Sequence, residues 1–274
     1  MNRSHRILLI TGAAIYTVVS AEMASAQVCL PFAPGERLTY AVRAATMGAR
    51  GEAHMTVAGP EEVRGHATLV LRSEASVGVG FIRGSDKTAA WVDPVTLATL
   101  RFIQTERNVL SHATDSVEVF PDARLWERSN GRHGEMITDA PLDVLSFIYF
   151  LRTLSFGTDS SWTFNRHFDA ARNPTTVRVI GHDTISTAAG RFSVWDVEMS
   201  VRDKEHYDGS GVIKFLFSDD TGRLPVRIQS VMPTAGTTVM TLSAVVRDSS
   251  ATCPLFASRH TSIATSTVPP GVTP

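Results

Sequence analysis

From Arg37 to Asp248, apolar and polar side chains trade places residue by residue, and this alternation limits the chain to one kind of architecture. In "SVWDVEMSV", Trp195, Val197, Met199 and Val201 fall on one face, with Asp196, Glu198 and Ser200 on the other. A period of two is the signature of a half-buried strand, because successive side chains leave opposite faces of the pleat. "RLPVRIQSVM" repeats the pattern, with Val226 and Ile228 opposed to Arg227 and Gln229. Strands are expected at 37–45, 50–58, 66–77, 87–93, 98–105, 112–120 and 123–129. After an interruption they resume at 161–168, 174–181, 191–201, 211–218, 224–232 and 237–247. Turn-forming clusters such as "AGPEEVRG", "VDPVT", "FPDAR" and "SDDTGR" separate them. Short connections favour antiparallel neighbours. The expected fold is mostly β: a large curved antiparallel sheet, or an open or closed β-barrel, with one helix packed in or across it.

The interruption is that helix. "PLDVLSFIYFLRTL", Pro141 to Leu154, is apolar at most positions, with Asp139 placed to cap it and Pro141 in its first turn. At 1.5 Å per residue it is about 20 Å long, too short to cross a bilayer. On a helical wheel Asp143, Ser146 and Thr153 share a narrow polar arc, and Phe150 falls inside it. A helix with Phe150 there needs a second covering surface beyond one sheet face, whether a loop, a ligand or a partner. Arg152, near the helix C-terminus, suits the dipole. Its partner is expected to be Asp219 or Asp220, or else an anionic ligand headgroup.

The ends of the chain speak to location. Arg3 and Arg6 precede the apolar run "ILLITGAAIYTVV" and then "ASA" at Ala24–Ala26, the three parts of a cleavable export signal. Residues 1–26 are therefore read as a signal peptide, 27–256 as one β-rich domain, and the Ser/Thr/Pro-rich 257–274 as a disordered tail. The expected location is the periplasm or outside the cell, after cleavage near Ala26. Cys29 and Cys253 are the only cysteines, and in an oxidising compartment they are expected to pair across the domain. Closing so long a loop is worth about 4–5 kcal/mol in the chain-entropy model.

Several classes lose support. With 26 basic against 27 acidic residues and no basic stripe, a nucleic-acid partner has no electrostatic basis. No zinc-type spacing, Gly-x-Ser-x-Gly elbow or Gly-rich strand–helix turn occurs, so neither a metal nor another cofactor is expected and the chain is read as a non-enzyme. Asp219 and Asp220 read as a hairpin turn rather than a calcium or acid–base pair. His167 and Asp169 would share one strand face, and His182 adjoins Asp183.

Three stretches in order, "FAPGERLTYAVRAATMGARGEAHMTV" (Phe32–Val57), "DVLSFIYFLRTL" (Asp143–Leu154) and "FSDDTGRLPVRI" (Phe217–Ile228), resemble a family of exported bacterial proteins catalogued as domain of unknown function 3108. The resemblance implies a β-rich envelope protein similar to the open β-barrels that carry lipids or lipoproteins across the periplasm. The leading expectation is a periplasmic binding or carrier protein, not an integral membrane protein, with an apolar, lipid-like ligand. Leu145, Tyr149, Trp162 and Trp195 would line its pocket, and Arg152 would meet a headgroup. The alternatives are an envelope structural or interaction protein with a filled core and a protein partner, or a hydrolase with a non-local active site.

Overall fold

The computed structural model describes residues 30–45, 48–107, 111–202, 210–232 and 236–247. Cys29, Cys253, the export signal with its cleavage site at Ala26, and the Ser/Thr/Pro tail lie outside the described residues. No described helix is long and apolar enough to cross a membrane.

Fourteen strands form one antiparallel sheet. In the first half they are β1 (Arg37–Ala44), β2 (Ala49–Val63), β3 (His66–Val79), β4 (Ile82–Val92), β5 (Thr99–Arg107), β6 (His112–Phe120), β7 (Leu125–Arg128) and β8 (His133–Glu135). The second half holds β9 (Ser161–Phe164), β10 (Thr175–Thr187), β11 (Gly190–Arg202), β12 (Ser210–Ser218), β13 (Pro225–Met232) and β14 (Gly236–Val246). Their spatial order is β8-β7-β6-β5-β4-β3-β2-β1-β14-β13-β12-β11-β10-β9. Every strand neighbours its successor except β8 and β9, and the ring is joined by β1 against β14, with Tyr40 opposite Leu242. The sheet is thus a barrel left open between β8 and β9. Both edges are short, as exposed edges must be if they are not to recruit further strands.

The chain from 136 to 160 has to pass from one edge to the other, and α1 (Val144–Leu151) lies on that path. It packs against β3 and β4, and its Leu145, Phe147, Tyr149 and Leu151 are buried in the core of the sheet. The ladders carry five irregularities of register, at Thr39/Tyr40, Ala58/Glu61, Trp91/Val92, Val179/Gly181 and Leu216/Phe217. Bulges bend and twist a strand, so they help the sheet to curl.

The helix is shorter than the sequence suggests, and its cap is Asp143 rather than Asp139. Leu142 is already committed to a parallel bridge with His167, donating to the Arg166 carbonyl and accepting from Phe168 N–H. The helix can start only after that bridge. Asp143 then accepts from the N–H groups of Leu145 and Ser146, while Ser146 Oγ returns a bond to Asp143 N–H, a reciprocal capping box.

The polar arc of the wheel is not an exposed side of the helix. Asp143 and Ser146 are fully buried, and Thr99 on β5 bonds both, at 2.6 Å and 3.0 Å. Phe150, by contrast, does receive its second cover. Phe164 on β9 meets it edge-on at 5.1 Å, and the Arg166 guanidinium lies 4.6 Å over its ring. The cover is the strand beyond the gap.

Candidate functional site

The concave face divides into two halves along the strands. Side chains paired across the strands share a face, which fixes what points inward. Toward the helix, Leu38, Tyr40, Met55, Leu71, Val117, Phe215 and Phe217 are all buried, and α1 fills the space between them. Past the helix the inward positions change character. On β3 the row runs from buried Leu71 through half-buried Ala75 and Val77 to exposed Val79, and on β12 from buried Phe215 to half-buried Ile213. Val201 and Met240 continue that apolar wall on β11 and β14, also half-buried. The facing wall, on β4 to β6, is polar. Asp86 accepts from Gln104 at 2.8 Å and from Thr88 at 3.1 Å, and Asp115 pairs with Arg128 at 2.8 Å. The open half is therefore a trough with one apolar and one polar side, floored by the helix.

Arg152 anchors that floor. Its guanidinium forms a two-pronged contact with Glu36, at 2.6 Å and 2.8 Å, and bonds the carbonyls of Pro31 and Gly222. Phe32 and Tyr149, whose rings meet edge-on at 4.9 Å, lie together beside it at 5.0 Å and 5.3 Å. Burial works against the cation, and the Glu36 carboxylate more than offsets this, so the Arg152 pKa is raised. Arg247 approaches the same carboxylate at 3.5 Å. One buried carboxylate thus ties the chain before β1, the end of α1, the β12–β13 turn and the end of β14. The partner is Glu36, neither Asp219 nor Asp220. Those two remain too far along other tasks: Asp220 accepts from Gly222 N–H, Arg223 N–H and Ser218 Oγ, building the turn.

The other residues named from the sequence are distributed as follows. Leu145 and Tyr149 lie with Arg152 in the closed core. Burial pushes the Tyr149 phenol up, and its hydroxyl has no hydrogen-bond partner among the described residues. Trp162 is half-buried on β9 and meets Phe156 at 6.1 Å, which in turn lies under Arg223 at 4.9 Å. Trp195 is half-buried on β11 and donates to Asp219 at 2.7 Å. Trp162 and Trp195 are therefore linked through Phe156, Arg223 and Asp219, apart from the helix trio. Glu36, the residue the sequence reading passed over, lies in "APGERLTY" within the first of the three quoted stretches.

Asp219 Oδ2 and Ser193 Oγ approach His182 at 3.0 Å and 3.2 Å, but both meet the same ring nitrogen, Nε2. A nucleophile–base–acid relay needs them on opposite nitrogens, so this trio cannot work as one. His167 and Asp169 do not share a strand face. His167 Nδ1 accepts from Asp169 N–H in a tight turn, and Asp169 caps the short 3-10 helix Ala170–Arg172. Among the described residues no group of three His, Cys, Asp or Glu side chains could hold a metal ion.

A second concavity lies on the outer face, a groove of about 650 Å³ across β1, β13 and β14. Arg43, Arg50 and Arg227 rise around a floor that includes Ala41, Val239 and Thr241.

No curated protein matches the chain. Among solved structures, a β-barrel-like protein of domain of unknown function DUF1849 from Brucella abortus aligns with a TM-score of 0.53 at 12% identity, over 79% of this chain and 99% of that one. At that identity the likeness concerns the fold alone. A protein described as a lipoprotein from Parabacteroides distasonis aligns at 11% identity and a TM-score of 0.29, over 79% and 97% of the two chains. An exported protein with a YmcC-like fold from Bacteroides fragilis gives 12%, 0.32, and 80% and 98%. The model of the family "protein of unknown function (DUF3108)" matches residues 38–243, well over half of the sequence, and the chain belongs to that family.

Proposed function

We propose that this is an exported binding or carrier protein that holds an apolar, lipid-like ligand in the open half of the trough. The observation that carries the reading is the half-buried apolar row past the helix. Ala75, Val77, Ile213, Val201 and Met240 are inward and only half-buried, and Val79 at the end of the β3 row is exposed. Apolar surface left uncovered in a concavity is where an acyl chain gains most by leaving water, at roughly 0.8 kcal/mol per buried methylene. The polar wall of Asp86, Gln104 and Asp115 gives a ligand with one polar edge a single orientation. In this reading Leu145, Tyr149 and Arg152 are the floor that stops the ligand, and Trp162 stands at the open gap. The export signal supports a location outside the cytoplasm, where such ligands need a carrier between membranes.

A photoreactive fatty acid offers the test. Cross-links should map to the inward residues of β3, β11, β12 and β14 and disappear in Val77→Asp. Labelling confined to the outer face, or labelling unchanged in that variant, would remove the reading.

A further inference from the structure

The far rim of the trough, where the inward row of β3 ends at Val79, carries a tip that neither the core nor the trough uses. The β3–β4 hairpin closes with Val79 opposite Ile82, leaving Gly80 and Phe81 as its two-residue tip. Gly80 has φ 59°, so it supplies the left-handed residue that such a turn demands at its first position. Nothing in the turn asks for an aromatic at the second. Yet Phe81 is 95% exposed, with Val79 and Ile82 at 41% and 45% beside it. Three large apolar side chains project together from the end of a two-stranded ribbon.

Directly behind the tip lies a transverse row on the outer face. Arg43 pairs with Arg50, Arg50 with Gly78, and Gly78 with Arg83. Three of the four residues in the row are arginines, none makes an ion pair among the described residues, and like charges directly opposite each other disfavour the sheet. Arg107 continues the outer face on β5, opposite Ser85. The groove of about 650 Å³ opens between Arg43, Arg50 and Arg227 on the same side.

We propose that this rim docks on an anionic lipid surface, with Phe81 and its neighbours inserted at the acyl boundary and Arg43, Arg50 and Arg83 at the headgroup phosphates. An apolar tip with a basic collar is the chemistry of an interfacial anchor. A stable protein interface needs roughly 800 Å² from each partner, far more than three side chains offer. Arg43, Arg50 and Arg83 have no ion-pair partner among the described residues, and such a collar fits phosphates and not a neutral surface. Docking stands without the carrier reading, since neither tip nor collar needs a ligand in the trough.

Co-sedimentation with vesicles tests it, using protein purified after export so that no leader is attached. Wild type should pellet with phosphatidylcholine vesicles containing phosphatidylglycerol. It should bind pure phosphatidylcholine at least about tenfold more weakly, and added salt should weaken the anionic binding. The exposed double substitution Phe81→Ser with Ile82→Ser should reduce binding to both by about tenfold or more. Arg43→Gln and Arg50→Gln should each cost roughly fivefold on anionic vesicles only. Unchanged melting temperatures will show that these surface variants fold. Failure of wild type to pellet overturns the proposal, as does equal binding by the tip variant or equal binding to neutral vesicles. A defined protein cross-linked at position 81 in a chain that does not bind vesicles also overturns it. A protein that pellets but carries no acyl ligand keeps this inference and loses the carrier reading.

Discussion

Two neighbouring positions on β12, Phe215 and Ile213, point to the same side of the same sheet and live in different surroundings. Phe215 is sealed under the helix and stacked on Phe217 at 5.1 Å, while Ile213 stands half-buried beyond the helix end. The same contrast separates Leu71 from Val77 on β3 and Leu242 from Met240 on β14. An alternating strand pattern specifies an inward face but not what covers it. Here α1 is long enough to cover one half, so stability is concentrated there, and the less covered half is the one the carrier proposal assigns to a ligand.

The sharpest way to break that comparison is at the anchor. Arg152→Leu leaves the buried Glu36 carboxylate with only the longer 3.5 Å contact to Arg247, and should cost about 3–5 kcal/mol in denaturant unfolding. Adding Glu36→Gln to it should recover part of the loss, because the stranded charge goes. Next comes a matched pair of truncations. Phe215→Ala should cost about 3–5 kcal/mol, whereas Ile213→Ala should cost roughly 1 kcal/mol, because a half-exposed side chain leaves no sealed void. Equal losses would mean the trough is as packed as the core.

Asp143 comes third. Asp143→Ala removes a cap and three buried partners and should cost about 2 kcal/mol. Burial raises the pKa of Asp143 above its ordinary 3.8. Between that value and the raised one, the native state binds the proton more tightly than the unfolded chain. The contribution of Asp143 to stability is thus full below 3.8 and falls as pH rises through the folded-state pKa. Asp143→Asn keeps the cap oxygen and should flatten that slope in unfolding curves taken across acid pH. The smallest effect belongs to Tyr149→Phe. Its hydroxyl forms no bond among the described residues, so thermal stability should change by less than about 1 kcal/mol, or rise.

The strands were legible from the sequence because the period of two survives even where neither face is sealed. β1, β6, β11, β12 and β14 lie within a residue or two of the expected limits. β8 was missed, since "HGE" sits among turn residues and carries no apolar alternation. The ring order was not legible, because β1 against β14 joins segments from opposite ends of the domain and no local signal marks such a pair. The same distance hid the anchor: Arg152 and Glu36 are 116 residues apart, and a nearer acidic turn looked equally able to neutralise it. The wheel showed the need to cover Phe150 but said nothing of the burial of Asp143 and Ser146, which depends on Thr99 standing opposite them. Of the residues chosen to line a pocket, Leu145 and Tyr149 lie with Arg152 in the closed core, while Trp162 and Trp195 are half-buried elsewhere on the sheet. Which half of the concavity the helix would fill was set by its short span and by the bridge at Leu142.

The central claim is that the open half of the trough holds an apolar ligand, and native mass spectrometry of protein purified gently from its own envelope tests it most directly. The account predicts a one-to-one adduct with the mass of an acyl lipid, lost in Val77→Asp while the melting temperature is nearly unchanged. A wild-type protein that appears bare, or an adduct that persists in that variant, contradicts it.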